Sequence, residues 1–327
     1  MTALLITVDT ELSISRHRQG MPFAENIARG VWGRTGAQAR GIGWQMDVLD
    51  RHGLKGVYFV DPLPALVEGP AFLEDIVGAI VSRGHEVQLH VHTEWLDLAK
   101  DSPVGGRTGR NIGDFSLADQ VTLLAMARDW LEAAGAPKIN AFRAGNFGAN
   151  DDTLRALAYL GFAWDSSVNA DYLGRDCRVS LDPGQIAATR KEGVVELPVS
   201  GISDRPGHFR PAQICALSAR EMIGGLRHAA GEGQPAFVVV THSFEMLSRD
   251  RQRANLAVAD RLERLCAFAA AHPGITGAGF HELDSTAVQV TGRQAYTRLP
   301  ASRVRTTMRL VEQALATWRY ERRLVPA

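Results

Sequence analysis

The chain has 327 residues, of which 45% are hydrophobic and 22% are charged, and its 36 basic residues balance its 36 acidic ones. This composition is typical of a soluble globular protein, and a net charge of zero excludes a bulk electrostatic attraction to nucleic acid. The N-terminal sequence has no basic stretch followed by a long apolar run. We therefore expect neither a signal peptide nor a transmembrane segment.

Predicted strands and helices alternate along the chain. Short apolar runs predict strands at 3–8, 54–60, 86–91, 139–144, 162–167, 194–199, 236–242 and 275–280. Runs with helical spacing predict helices at 41–53, 71–84, 116–135, 150–161 and 250–272. This alternation indicates parallel strands in an α/β fold, either an open sheet or a closed barrel. The glycine fingerprint of a dinucleotide-binding sheet is missing after the first strand, where the sequence is "VDTELS".

The last segment looks like an appendage to this pattern. Residues 303–323 are basic and predict an amphipathic helix, whose apolar stripe consists of Val304, Met308, Val311, Leu315 and Trp318. We predict a barrel at 1–288 and a basic helical extension at 289–327. The helix is expected to pack on the barrel or on a second subunit, and contact with a membrane surface is the alternative.

The three cysteines are Cys177, Cys215 and Cys266. Their odd number and wide spacing match neither a disulfide framework nor a zinc motif. We interpret them as reduced thiols of a cytoplasmic protein.

The stretch "GHEVQLHVHTEWL" places His90, His92 and Glu94 on alternate residues at the end of a predicted strand. Alternate residues of a strand share one face, so these three side chains are able to converge on one point. Nitrogen and oxygen ligands of this kind suit Zn²⁺, with Co²⁺, Ni²⁺ and Mn²⁺ as alternatives.

Ionisable residues also follow the other predicted strands. Asp9 and Glu11 follow the first strand, Arg143 ends the fourth, Asp165 lies in the fifth and His242 ends the seventh. In a barrel of parallel strands the carboxyl ends meet on one face, where the chemistry is placed. A metal, a carboxylate that takes a proton and a histidine that gives one together indicate metal-assisted hydrolysis of an amide or ester.

These segments resemble the motifs of the NodB-homology polysaccharide deacetylases, carbohydrate esterase family 4. The matching segments are "TVDTE", "GHEVQLHVHTE", "RAGNFG", "WDSS" and "VTHS". The resemblance covers most of the chain except the extension and is closest to a subgroup tied to lipopolysaccharide or O-antigen biosynthesis. It implies a distorted (β/α) barrel of seven or eight strands that binds a divalent metal.

The resemblance also implies roles for single residues. The catalytic base is Asp9 and the general acid is His242. Arg143 and Asp165 position the base or tune its pKa. The implied metal ligands are Glu11, His90 and either His92 or Glu94, because Glu94 stands where the family has its second histidine.

The predicted function is removal of an acetyl or formyl group from an amino sugar or a glycan precursor. One alternative is a hydrolase of the same superfamily that opens cyclic amides or imides. Another is an inactive member that binds glycans or serves as a scaffold. The expected partner is the acylated sugar, without nucleic acid, and the chain is expected to lie in the cytoplasm, with a homodimer as one arrangement.

Overall fold

The computed structural model describes residues 1–36, 38–288 and 296–321. The chain divides into two compact units. Unit 1 comprises Met1–Lys55, Ser200–Gly277 and the segment from Thr297 onward, and unit 2 comprises Gly56–Val199 and the segment that begins at Ala278.

The strands of the described residues, in chain order, are β1 (Thr2–Thr10), β2 (Arg34–Thr35), β3 (Gln38–Ala39), β4 (Gly56–Val60), β5 (Glu86–Val91), β6 (Ala141–Ala144), β7 (Trp164–Asp165), β8 (Thr189–Lys191), β9 (Val194–Glu196), β10 (Gly201–Arg205), β11 (His208–Pro211), β12 (Ala236–His242) and β13 (Ile275–Gly277). The helices are α1 (Ile14–Arg18), α2 (Phe23–Gly30), α3 (Ile42–Arg51), α4 (Ala65–Glu68), α5 (Phe72–Val81), α6 (Leu117–Ala133), α7 (Asp151–Tyr159), α8 (Ala219–Gly231), α9 (Leu256–Ala271) and α10 (Arg303–Ala316).

Unit 1 is built around β1, which pairs in parallel with both β12 and β13. The side chains of β1 and β12 are almost all buried, and Leu4, Ile6 and Val239 join a hydrophobic core with residues of α3, α8 and α9. Such two-sided burial explains why both strands read as continuous apolar runs in the sequence. The hairpin β10–β11 is antiparallel and belongs to the same unit.

Unit 2 contains the parallel series β4, β5, β6, β7 and β9, each paired with the next, and β8 closes it antiparallel to β9. Helices α5, α6 and α7 connect or flank these strands. The Ser116 hydroxyl caps α6, because it accepts a hydrogen bond from the amide of Asp119.

The predicted fold class, an α/β fold of the distorted-barrel type, is confirmed. Eight strands of the described residues take part in parallel pairing, in line with the predicted seven or eight. The predicted division at residue 288 stays a prediction, because residues 289–295 lie outside the described part of the chain.

Several element boundaries differ from the prediction. The helix predicted at 250–272 begins only at Leu256, because Asn255 caps it and Arg251 adopts a φ of 58° that no helix accommodates. The strand predicted at 162–167 is limited to the two residues of β7. Strand β5 ends at Val91, before His92 and Glu94. Glu94 therefore lies in a short 3₁₀ helix, Thr93–Leu98, and not on the strand face that the sequence predicts.

Helix α10 confirms that the extension is helical, but it turns its apolar stripe outward. Val304, Met308, Val311, Leu315 and Trp318 are all more than half exposed. Its buried residue is Arg309, whose guanidinium binds Asp204 at 2.8 Å and Glu221 at 3.1 Å. Charge pairing, and not apolar packing, therefore fixes this helix on unit 1.

Candidate active site

In unit 1, the carboxyl ends of two paired strands place an acid next to a histidine. Asp9 of β1 is the register partner of His242 of β12, and the amide of Ser243 donates a hydrogen bond to the Asp9 carbonyl at 2.9 Å. The Asp9 side chain is buried, whereas His242 is partly exposed. Glu11, one residue beyond β1, is half-buried in the same unit.

His242 is held as an imidazolium by its acidic neighbours. Its Nδ1 lies 3.0 Å from Oε1 of Glu245. Burial opposes the charged form, but the hydrogen bond and charge of Glu245, with the charges of Glu11 and Asp9, raise the pKa of His242 to about 9. A histidine that keeps its proton at neutral pH is suited to donate it to a leaving group.

Glu245 has a supporting role that sequence motifs alone leave undefined. Burial favours its neutral form, yet His242, Gln213 and Thr241 bind its oxygens and keep the pKa of Glu245 low. It stands three residues after His242, and this spacing was the available signal in the sequence. The carboxylate thereby fixes both the orientation and the charge of the imidazole.

In unit 2, His90 and His92 lie together at the end of β5, with ring centroids 4.9 Å apart. Nδ1 of His90 lies 2.7 Å from the backbone carbonyl of Arg143, its register partner on β6. Nδ1 of His92 lies 3.1 Å from Oε2 of Glu94. Both rings are therefore oriented through Nδ1, as in metal-binding histidines whose second nitrogen is the ligand.

The loop after β6 completes this arrangement. Oε1 of Glu94 accepts a hydrogen bond from the amide of Asn146 at 2.9 Å, so both oxygens of Glu94 are engaged within unit 2. A Cβ at Gly145 would lie 2.7 Å from Nδ1 of His92, which only glycine avoids. The motif "RAGNFG" is therefore explained by close approach to the histidine as well as by Arg143.

Arg143 and Asp165 lie on adjacent strands, and both are fully buried. Arg143 donates to the carbonyl of Ser166 at 3.1 Å and to its hydroxyl at 3.2 Å, and it stacks on Phe59 at 4.4 Å. Burial raises the pKa of Asp165, against the opposing charge of Arg143.

Glu196 is a buried carboxyl group that the sequence analysis does not predict. It is the register partner of Asp165 and is likewise fully buried. Ser167 donates to Oδ1 of Asp165 at 2.6 Å, and the amide of Val168 donates to Oε1 of Glu196 at 3.0 Å. Oδ2 and Oε2 have no other hydrogen-bond partner, and burial with the charge of Asp165 raises the pKa of Glu196 well above its usual value. The raised pKa means that Glu196 keeps its proton to a higher pH than a solvent-exposed glutamic acid does.

The donor set fits a divalent metal. Imidazole nitrogen and carboxylate oxygen are ligands of Zn²⁺ and similar ions, and the two oriented histidines of unit 2 meet the requirement for a defined tautomer. The three cysteines form no disulfide and none belongs to this donor set. In the described chain, no helix is both long and apolar enough to span a bilayer.

Comparison with solved structures shows a common fold. A Mycobacterium smegmatis protein assigned as a polysaccharide deacetylase matches with a TM-score of 0.54 and 18% identity, over 86% of this chain and 88% of its own. A 4-alpha-glucanotransferase from Thermococcus litoralis has the same TM-score with 11% identity, over 92% of this chain but 41% of its own. A family 4 carbohydrate esterase from Streptomyces lividans, in complex with acetate, matches at a TM-score of 0.45 with 12% identity, over 92% and 97% of the two chains.

No family model matches the chain, and no curated protein matches it in sequence. The likeness to the two structures with a TM-score of 0.54 shows a common fold, the α/β fold of the distorted-barrel type.

Proposed function

We propose that this protein is a metal-dependent hydrolase that removes an acetyl or formyl group from an amino sugar or glycan precursor. The observation that carries the proposal is the pair His90 and His92, each anchored through Nδ1 by a carbonyl or carboxylate oxygen. In support, Glu11 offers a carboxylate oxygen and His90 and His92 offer imidazole nitrogens, which are the donor types that a divalent ion takes. The fold shared with a protein assigned as a polysaccharide deacetylase agrees with this chemistry.

We assign Glu11, His90 and His92 as the metal ligands and Glu94 as the residue that orients His92. A bound divalent ion polarises the acyl carbonyl as a Lewis acid and lowers the pKa of water. Glu94 is assigned the orienting role because its two oxygens already form hydrogen bonds with His92 and Asn146. Zn²⁺ is the metal we propose first, with Co²⁺, Ni²⁺ and Mn²⁺ as alternatives.

The residues of the chain then move the protons. Asp9 accepts a proton from the attacking water, a C–O bond forms and the amide C–N bond breaks. The imidazolium of His242 donates its proton to the departing nitrogen, so the products are a free amine and a carboxylic acid. We assign Arg143 as the residue that positions Asp9, and Asp165 as the carboxyl group that neighbours Arg143.

We propose an acylated precursor of lipopolysaccharide as the substrate, in the cytoplasm. The test is acid release from nucleotide-linked N-acetyl and N-formyl amino sugars, with and without added Zn²⁺. Release that Asp9→Asn abolishes is the expected result. Turnover of cyclic imides instead would favour the ring-opening alternative, and glycan binding without turnover would favour an inactive member.

We also propose that α10 contacts a negatively charged membrane surface. Its exposed apolar stripe lies beside the exposed arginines Arg303 and Arg319. An apolar face flanked by cations is the pattern of helices that lie in the lipid headgroup region. A second copy of the chain on the same face is the competing outcome.

A further inference from the structure

Arg251 carries a buried charge. Arg251 is only 8% exposed. Its guanidinium makes neither a hydrogen bond nor an ion pair with any described residue. It stacks on the ring of Phe244 at 3.8 Å, and its backbone holds a φ of 58°. A buried cation without a hydrogen-bonded counter-ion is costly, and a bound anion would offset that cost.

The residue lines a cavity of about 500 Å³ within unit 1. Arg16, Arg249 and Arg261 also line it, and we call it the arginine cavity. Arg261 is already paired with Glu312 at 2.7 Å. Arg16 donates to the backbone carbonyls of Arg249 and Asp250, and the carboxylate of Asp250, which does not line the cavity, offsets part of its charge. The cavity therefore has an excess of positive charge.

The two arginines also repel each other. Burial, and then the charge of Arg16, lower the pKa of Arg251 to about 10, against the opposing effect of Glu11. Burial is likewise the main cause that lowers the pKa of Arg16. Arg251 remains charged at neutral pH, and an anion between the two side chains would relieve the repulsion.

The arginine cavity adjoins the general acid. Glu245 lines it, and the same carboxylate binds the imidazole of His242 at 3.0 Å. The carboxylate of Glu245 already forms hydrogen bonds with His242, Gln213 and Thr241. A group bound in the cavity would therefore lie next to the residue that protonates the leaving nitrogen.

We propose that the arginine cavity binds an anionic group of the substrate, a phosphate or a carboxylate. The planar fork of arginine recognises such groups by paired, charge-assisted hydrogen bonds. The assignment of the anion to a substrate rests on the hydrolase function proposed above. The binding of an anion by these arginines is independent of that function.

The test is calorimetric titration of the full-length protein with inorganic phosphate and, separately, with succinate, each with and without Zn²⁺. We expect saturable binding of one of them that does not require the metal. Arg251→Gln and Arg16→Gln should each weaken it at least tenfold. Arg264→Gln, on the exposed side of α9 and paired with Asp260, should leave it within twofold of wild type.

Thermal unfolding distinguishes this role from a structural one. Without anion, Arg251→Gln should melt no lower than wild type, because it removes an unpaired buried charge. A lower melting temperature with unchanged phosphate and succinate binding would overturn the proposal. Binding that needs Zn²⁺ and ignores both arginines would assign the anion to the metal instead. Either result leaves the acid-release assay to decide the hydrolase function independently.

Discussion

Asp165 and Glu196 are register partners on adjacent strands, both carboxyl groups are fully buried, and burial raises the pKa of each. Because the folded-state pKa of Glu196 is raised, the native protein keeps a proton that the unfolded chain releases. Stability from this pair is fully present below the unfolded pKa of about 4.3 and is lost as pH rises toward the folded pKa.

Glu196→Gln should therefore flatten the dependence of stability on pH. The wild-type loss is about 1.4 kcal/mol per pH unit for each proton retained only by the native state. The amide of the variant is able to donate to Asp165 without titrating. Urea unfolding between pH 5 and pH 8 measures this slope, with the exposed Glu132→Gln as the control. Equal slopes for all three proteins would mean that the pair holds no extra proton.

His242 should set the alkaline limit of activity. Its pKa is raised to about 9, so the imidazolium that donates the proton disappears above that pH. Glu245→Gln removes the main group that raises this pKa, and the alkaline limb of kcat/KM should move to lower pH. His242→Gln should reduce the rate about 10²- to 10⁴-fold. An alkaline limb that stays in place in Glu245→Gln would argue against His242 as the acid.

His92 and Glu94 should differ in their effect on metal binding. If His92 is a ligand and Glu94 orients it, Glu94→Gln should lower the metal affinity by about 10- to 100-fold and keep one ion per chain. His92→Ala should lower the affinity further. Competition with a chelator of known affinity measures both. The reverse ranking would make Glu94 the ligand.

Arg309 should be required to hold α10 on unit 1. Its guanidinium neutralises Asp204 and Glu221, and all three side chains are about 1% exposed. Arg309→Met leaves two buried carboxylates without this partner and should lower the free energy of unfolding by about 3–5 kcal/mol. The exposed Arg303→Met should stay within about 0.5 kcal/mol. A small effect of Arg309→Met would show that neighbouring cations such as Arg210 suffice for Asp204.

Leu315 should contribute to membrane contact. Leu315→Glu places a charge in the exposed stripe and should reduce sedimentation with vesicles that contain phosphatidylglycerol. Tyr159→Glu, at a position on α7 that is even more exposed, is the matched control. A wild-type dimer in light scattering that Leu315→Glu dissociates, without vesicle binding, would instead assign the stripe to a second copy.

The local sequence predicts many of the strands and helices of the fold. The continuous apolar runs of β1 and β12 predict buried parallel strands, and Ser116 predicts the start of α6. Boundaries fail where a single backbone angle or cap decides them, as at Arg251 and Asn255, because helical spacing does not record the sign of φ.

For the candidate site, the sequence by itself determined which ionisable residues end the parallel strands: Asp9, His90, Arg143, Asp165 and His242. Where a strand ends is a local property, and the parallel direction of the strands places such residues at the carboxyl ends of the strands within each unit. Only the tertiary structure decided the neighbours: Glu245 beside His242, Glu94 beside His92, Glu196 beside Asp165, and the ring of Phe244 beside Arg251. These pairings depend on strand register and loop conformation, so the charge state of each group follows from neighbours that no short stretch of sequence specifies.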